Sequence, residues 1–326
     1  MSVSTVSRVL NDHPDVSATV RARVLEVVQE MHYVPNNSAR DLVKSAADAI
    51  GLVVRGVGNP FFTEVIPAIE QSINDAGYAM VLHQINSGEN ELLAGAALAR
   101  SKRLRGLIFL GGCFDYSPDD TALLNVPFVC CSYTNSFGNL PEKDYSSVTI
   151  DDRKEAYRAV EILLQQGHRK IAALLDSTDD RSISELRYIG YCQALQDNGI
   201  ALDPDLVLET RNYDLESAYR AVRKFLAEGK DCTAIFAISD SMAVAAMKAL
   251  HVGGKRVPED CSVVAIDGIA MSAYTIPTLT TLSQPKWEMG ETSVRLLLDL
   301  IEDGAANRHV ILDTVLRHGG TISPVL

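Results

Sequence analysis

Apolar positions follow two regimes along this chain. From residue 50 onward, short β-branched runs alternate with longer stretches whose apolar positions repeat at helical spacing, the pattern of βαβ units covering both faces of a parallel sheet. Runs at 50–54, 78–83, 106–110, 127–132, 170–175, 233–238 and 262–266 predict strands. The stretches 61–76, 89–102, 153–166, 185–198, 214–228 and 240–252 predict helices, several closed by a glycine (Gly77, Gly167, Gly199, Gly229) where a left-handed C-cap fits. Two such sheets are implied, with their junction near 146–152 and the segment 284–326 crossing back to complete both lobes.

Residues 1–47 hold no strand candidate. Ser2 stands at an N-cap position, and Val3, Val6, Val9 and Leu10 form one apolar stripe behind it. A second helix follows Ser17, with Val20, Val24, Val27, Val28 and Met31 on one face, and Asn36 is placed to cap a short third helix through Leu42. The polar faces of the first helix carry Ser4, Thr5, Ser7, Arg8 and Asn11. Short hydroxyl, amide and guanidinium groups of this kind reach phosphates and base edges in a major groove. Taken alone, the same string also describes an ordinary solvated helix face.

Composition adds limits. The chain has 326 residues, 47% hydrophobic and 22% charged, enough for two compact units and a small one. No apolar run reaches the roughly 18 residues that span a bilayer, and the amino terminus has no secretory pattern, so a cytoplasmic protein without a membrane partner is expected. Six cysteines show neither C-x-x-C nor metal-ligand spacing; they read as small core residues, and neither a metal nor a cofactor is expected. Net charge is −12, but residues 1–47 balance five Arg or Lys against five Asp or Glu. The acidic charge therefore sits on the body, and any nucleic-acid contact belongs to the neutral first segment. Enzyme motifs are missing: there is no G-x-S-x-G, no G-x-x-x-x-G-K-[ST], no G-x-G-x-x-G after a strand and no H-E-x-x-H.

Three linked patterns in the first segment, S-x-x-T-V-S-R-V-L-N, V-S-x-T-x-x-x-x-V and Y-x-P-N-x-x-A-R-x-L, closely resemble the headpiece and hinge of the lactose-repressor (LacI/GalR) family of bacterial regulators. The resemblance runs on through Asn59-Pro60-Phe61-Phe62, Gly167-His168-Arg169-Lys170-Ile171-Ala172, Arg187 before Gly190-Tyr191, Ser239-Asp240-Ser241-Met242-Ala243, Val257-Pro258-Glu259-Asp260 and Pro277-Thr278-Leu279-Thr280-Thr281. It implies an α/β fold: a two-lobed, periplasmic-binding-protein-like sensor domain of two doubly wound parallel sheets, behind a small all-α DNA-binding headpiece. The expected boundaries are 1–47 for a partial helix-turn-helix and hinge, and 48–326 for the sensor. Its N-lobe covers about 48–150 plus 286–309, and its C-lobe about 151–285 plus 310–326.

The resemblance also implies roles. Val3, Ser4 and Arg8 would read bases; Thr5, Ser7 and Asn11 would contact phosphates; Ala39 and Leu42 belong to a hinge helix whose leucine wedges into the minor groove. Asp41 departs from a neutral polar residue, and the first helix of the helix-turn-helix has no counterpart, which makes operator binding by this chain weak on this reading. In the sensor, Arg187 and Asp267 would bond ligand hydroxyls, Phe61 would line or stack on the ligand, and Asn59, Phe62, Tyr133, Ser239 and Asp240 join them; all but Arg187 lie just past strand ends, where open α/β sheets bind ligands. Ser239 stands for a usual asparagine, Gly268 for a second aspartate and Tyr133 for a common arginine. His168 reads as a helix-terminus residue and Trp287 as packing near the lobe crossover.

The expectation is thus a regulator, not an enzyme: a homodimer that represses by binding a palindromic operator and is controlled by a small effector, a carbohydrate. Two alternatives share the sensor: a cytoplasmic sugar sensor with lost DNA binding, and a periplasmic-type solute-binding protein.

Overall fold

A computed structural model describes residues 2–10, 13, 15–31, 48–56, 58–86 and 88–325. The chain divides into two units, 1–47 and 48–326. In the first, α1 (Val3–Leu10) packs on α2 (Ala18–Glu30). Ser2 caps α1, its Oγ accepting from Thr5 N at 3.2 Å. Ser17 stands at the start of α2 in extended conformation but makes no side-chain cap bond. Val9 and Val24 are buried, whereas Val27 and Met31, expected on the packed face, are exposed. Two helices offer too little surface to cover a stripe that wide. Asn11, Ala39, Asp41 and Leu42 lie outside the described residues, as do the side chains of Val3, Ser4 and Ser7.

In the second unit the chain runs β1 (Ala49–Arg55), α3 (Pro60–Asp75), β2 (Ala79–Ile85), α4 (Glu91–Lys102), β3 (Gly106–Leu110), α5 (Pro118–Thr121), β4 (Phe128–Cys131) and β5 (Ser146–Thr149). These five strands and β11 (His309–Ile311) form one parallel sheet, ordered β11-β5-β4-β3-β1-β2. Then come α6 (Asp152–Gln165), β6 (Ile171–Leu175), α7 (Ile183–Asp197), β7 (Val207–Glu209), α8 (Leu215–Ala227), β8 (Ala234–Ala237), α9 (Asp240–Val252), β9 (Ser262–Asp267) and β10 (Thr280–Ser283). With β12 (Val315–Arg317) the second sheet is ordered β12-β10-β9-β8-β6-β7, parallel except for β12. The antiparallel strand lies at the edge of its sheet, paired only with β10.

The final segment completes both lobes. α10 (Lys286–Glu302) packs along α3 and over the first sheet, β11 (His309–Ile311) pairs with β5, and β12 (Val315–Arg317) pairs with β10. The last crossing therefore follows Ile311, two residues beyond the expected point. β5, β7 and β10 were not expected as strands: S-S-V-T, V-L-E and T-T-L-S lack an apolar run; β5 and β10 pair where their neighbours bury them, while β7 is a half-buried edge strand on β6. His168 follows Gly167 at the end of α6, its backbone N donating to Leu163 O at 3.2 Å, and its ring is buried. It is 3% exposed, and its ring nitrogens lie 3.0 Å from Thr233 Oγ1 and Ser262 Oγ. Trp287 is half exposed on α10, its Nε1 donating to Glu291. Among the described residues, no helix is long and apolar enough to cross a membrane.

Candidate functional site

The carboxyl ends of both sheets open onto one cleft of about 1260 Å³, above the usual 300–1,000 Å³ of a small-molecule pocket. Its second-lobe wall is built on Arg187. Gly190 lets α7 approach α6: a Cβ there would stand 2.2 Å from Arg153 O. The approach brings Arg187, fully buried, to Asp152 at the start of α6, with Nε donating to Asp152 Oδ1 at 3.0 Å. Nη1 donates to Ile238 O and lies 3.5 Å from Asp267 Oδ1. Nη2 stands 2.9 Å from Asp152 Oδ1, yet the angle leaves it without a hydrogen bond.

Asp267 ends β9 with a φ of 134°, a region L residues rarely occupy and one that tends to mark functional sites. Gln284 Nε2 donates to its Oδ1 at 2.9 Å, while Oδ2 is buried without a partner. Burial pushes this carboxyl up to about 7, against the pull of Arg187. Asp152 is shifted upward for the same reason.

The first-lobe wall is a closed network. Glu91 Oε2 accepts from Arg55 Nη1 at 2.9 Å; Oε1 accepts from Cys113 N at 2.5 Å and from the Tyr116 hydroxyl. Tyr116 and Tyr133 oxygens lie 2.9 Å apart, and burial raises both phenols well above their usual range. Aromatic faces complete the lining: Phe61 and Phe62 meet edge to face at 5.8 Å, and Tyr133 packs on Phe114 at 5.3 Å.

Of the ligand candidates, the cleft brings together Asn59, Phe61, Phe62, Tyr133, Arg187, Ser239 and Asp267. Two of them also serve the backbone, Asn59 capping α3 through Phe61 N and Ser239 capping α9 through Met242 N. Asp240 is a correction. It does not line the cleft, because its oxygens accept from Thr281 Oγ1 and Ile269 N, fixing the turn after β9. Cys113 is a second correction: it is half-buried against the cleft and not in the core. Sequence reasoning missed Asp152, Gln284, Tyr213 and Glu91. The first three follow the unexpected strands β5, β10 and β7, so the same strand-end rule would have found them once those strands were read. In the other unit, Arg8 is exposed and lies 3.3 Å from Asp15.

Each arginine lining the cleft has a carboxylate partner: Arg55 has Glu91, Arg181 has Asp115, and Arg187 has Asp152 and Asp267. Among the described residues no group of His, Cys, Asp or Glu is arranged to hold a metal. An anionic ligand would meet carboxylates beside every guanidinium, whereas hydroxyls, which donate and accept, suit a donor and an acceptor that both lack hydrogen bonds.

Residues 1–36 match the family profile described as bacterial regulatory proteins, lacI family, and residues 140–322 match that of a periplasmic binding protein-like domain. The HTH-type transcriptional regulator MalR of Clostridium butyricum is 42% identical over 320 residues, covering 97% of this chain and 94% of that protein. Among solved structures, the regulator CelR in complex with cellobiose superposes with a TM-score of 0.75 at 28% identity, over 98% of this chain and 96% of that one. The lac repressor dimer bound to operator and the anti-inducer ONPF gives 0.77 at 27% identity, over 99% and 96%.

Proposed function

The chain belongs to the lacI family of bacterial regulatory proteins, and from that premise we propose that its cleft binds a neutral carbohydrate whose binding controls repression by the first unit. The chain is a ligand-responsive transcription regulator. The observation that carries the carbohydrate reading is that Arg187 and Asp267, in contact on one wall of an aromatic-lined cleft, each keep a buried polar atom without a hydrogen bond, the donor Nη2 and the acceptor Oδ2. Sugar hydroxyls both donate and accept, and sugar faces stack on rings. The cellobiose held by CelR is a ligand of this kind.

The regulator acts as a homodimer on a palindromic operator, in the manner of the operator-bound lac repressor dimer. It is cytoplasmic, where its DNA is, and it signals without turning a substrate over. Val3, Ser4 and Arg8 are the proposed base readers, Thr5, Ser7 and Asn11 the phosphate contacts, and Ala39 and Leu42 the hinge contacts. Closing the cleft would bias the hinge by a coupling of about 1–3 kcal/mol.

The test is a gel shift on DNA from the gene's own upstream region, run with and without neutral sugars including cellobiose, beside thermal melts of the same samples. One sugar should shift both the melt and the DNA complex. A melt that moves while no DNA complex ever forms would make the chain a sensor without DNA binding. A response confined to phosphorylated or other anionic compounds would reject the neutral carbohydrate.

A further inference from the structure

One carboxylate gathers the strand ends of the first-lobe wall. Glu91 opens α4 behind its N-cap Asn90 and is 1% exposed. Through it are joined Arg55 at the end of β1, Cys113 and Tyr116 in the loop after β3, and Tyr133 after β4. Arg55, Cys113 and Tyr133 line the cleft, whereas Glu91 sits behind them. A buried carboxylate without partners is costly, and this one is bonded from three sides.

Arg55 Nη1 also lies 2.7 Å from Cys113 Sγ, so two contacts hold one corner of the guanidinium. The group is planar with its N–H directions fixed in a fork, so holding that corner aims the rest. Its side chain is 23% exposed, on the wall that faces Arg187 and Asp267 across the cleft.

We propose that Glu91 is the positioning residue of this wall, and that the Arg55 guanidinium it holds is the hydrogen-bond donor meeting the effector's hydroxyls opposite Arg187 and Asp267. This rests on the neutral-carbohydrate reading above. The two polar centres would then grip different hydroxyls of one sugar, and the Arg55 side would select among sugars that the Arg187 side accepts alike.

The test uses the full chain titrated calorimetrically with glucose, galactose, ribose, maltose and cellobiose. Against the sugar that the wild-type chain binds most tightly, Arg55→Gln should weaken binding about ten- to a hundred-fold. Glu91→Gln should weaken it alone yet add less than about twofold in the Arg55→Gln background, as an effect relayed through Arg55 requires. Equal losses in both backgrounds would show that Glu91 acts on the fold and not through Arg55. Full affinity in folded Arg55→Gln would strike out the donor. If that variant does not fold, Arg55→Lys keeps a charge opposite Glu91 while losing the fork.

A second arm needs no sugar. Cys113 faces Arg55, Glu91 and Asp115; burial and Glu91 push its thiol up, and Arg55 pulls it down. Alkylation of Cys113 by iodoacetamide, followed by peptide mass spectrometry between pH 7 and 10, should therefore move to higher pH in Arg55→Gln. An unmoved profile would overturn the guanidinium's place. A wild-type chain that binds none of the five sugars, with the profile moved as expected, would instead reject the carbohydrate reading and the donor role with it.

Discussion

The two walls of the cleft use the same parts, an arginine held by a carboxylate at the start of a helix, and arrive at opposite states of completion. On the second lobe Arg187 is fully buried, touches both Asp152 and Asp267, and still leaves one nitrogen and one carboxylate oxygen without a hydrogen bond. On the first lobe Glu91 is saturated and Arg55 keeps contact with water. The difference separates a recognition surface from its scaffolding. Orphan polar atoms in a buried place raise the energy of the bare protein and lower that of the complex, while a closed network fixes geometry.

The contrast is broken most directly through the carboxylates. Removing Asp152 leaves a fully buried guanidinium whose remaining carboxylate contact is the longer one to Asp267, beside its bond to Ile238 O. Asp152→Ala should cost about 3 kcal/mol in urea unfolding. Glu91→Ala should cost less, about 1–2 kcal/mol, because Arg55 can turn toward solvent. Equal losses would mean that the first wall is as dependent on its charge pair as the second, and that partial exposure of Arg55 does not relieve it.

The walls also differ in how far they could be read in advance. Arg187, Asp267 and Phe61 were legible because motifs and strand ends flag them locally. The strands with apolar runs, the helices between them and the division near residue 47 were legible for the same reason. Asp152 and Gln284 were not, since each follows a strand that pairs on tertiary burial and has no pattern of its own. Glu91 lay beyond any strand-end rule. It looks like an ordinary acidic residue in the first turn of a helix, and its role exists only once three distant loops are brought around it. Asp240 misled for the reverse reason. It sits in a matching motif, but its carboxylate is used up by Thr281 and Ile269.

A pH titration sharpens the comparison at lower amplitude. The Asp267 carboxyl is raised to about 7, so the folded chain binds a proton that the unfolded chain has released between about 4 and 7. By linkage, the contribution of that group to stability is present at low pH and is lost as pH rises through about 7. Effector binding carries the opposite sign, because a hydroxyl donating to Oδ2 prefers the anion. Sugar affinity should rise severalfold from pH 6 to 8, at most about tenfold per unit, with a proton released on binding. Asp267→Asn should bind more weakly and show a flat profile. It is a cleaner probe than Arg187→Ala, which strands two buried carboxylates and disturbs the fold as well as the site. Calorimetry in two buffers of different ionisation enthalpy reads the proton directly, and a rising profile in Asp267→Asn would assign the titration elsewhere.

The smallest effect is expected where the walls meet. Asp115, in the loop after β3, and Arg181, before α7, stand 3.5 Å apart across the cleft, with side chains 38% and 64% exposed. Water screens a pair like this, and holding two long side chains together costs entropy, so its worth is about 0.2–1 kcal/mol. Arg181→Ala should therefore leave urea unfolding almost unchanged. Its influence falls instead on the balance between open and closed lobes, where a few tenths of a kcal/mol already shift populations measurably. Loss of the pair should weaken sugar binding by no more than about fivefold, and the deficit should shrink as salt is raised, because screening removes the same attraction from the wild type. The outcome separates the walls as units. If Arg181→Ala weakens binding as strongly as Asp267→Asn, the two walls are not independent centres closed by an incidental surface pair, and the cleft owes its affinity to the contact between lobes more than to the polar atoms on either side.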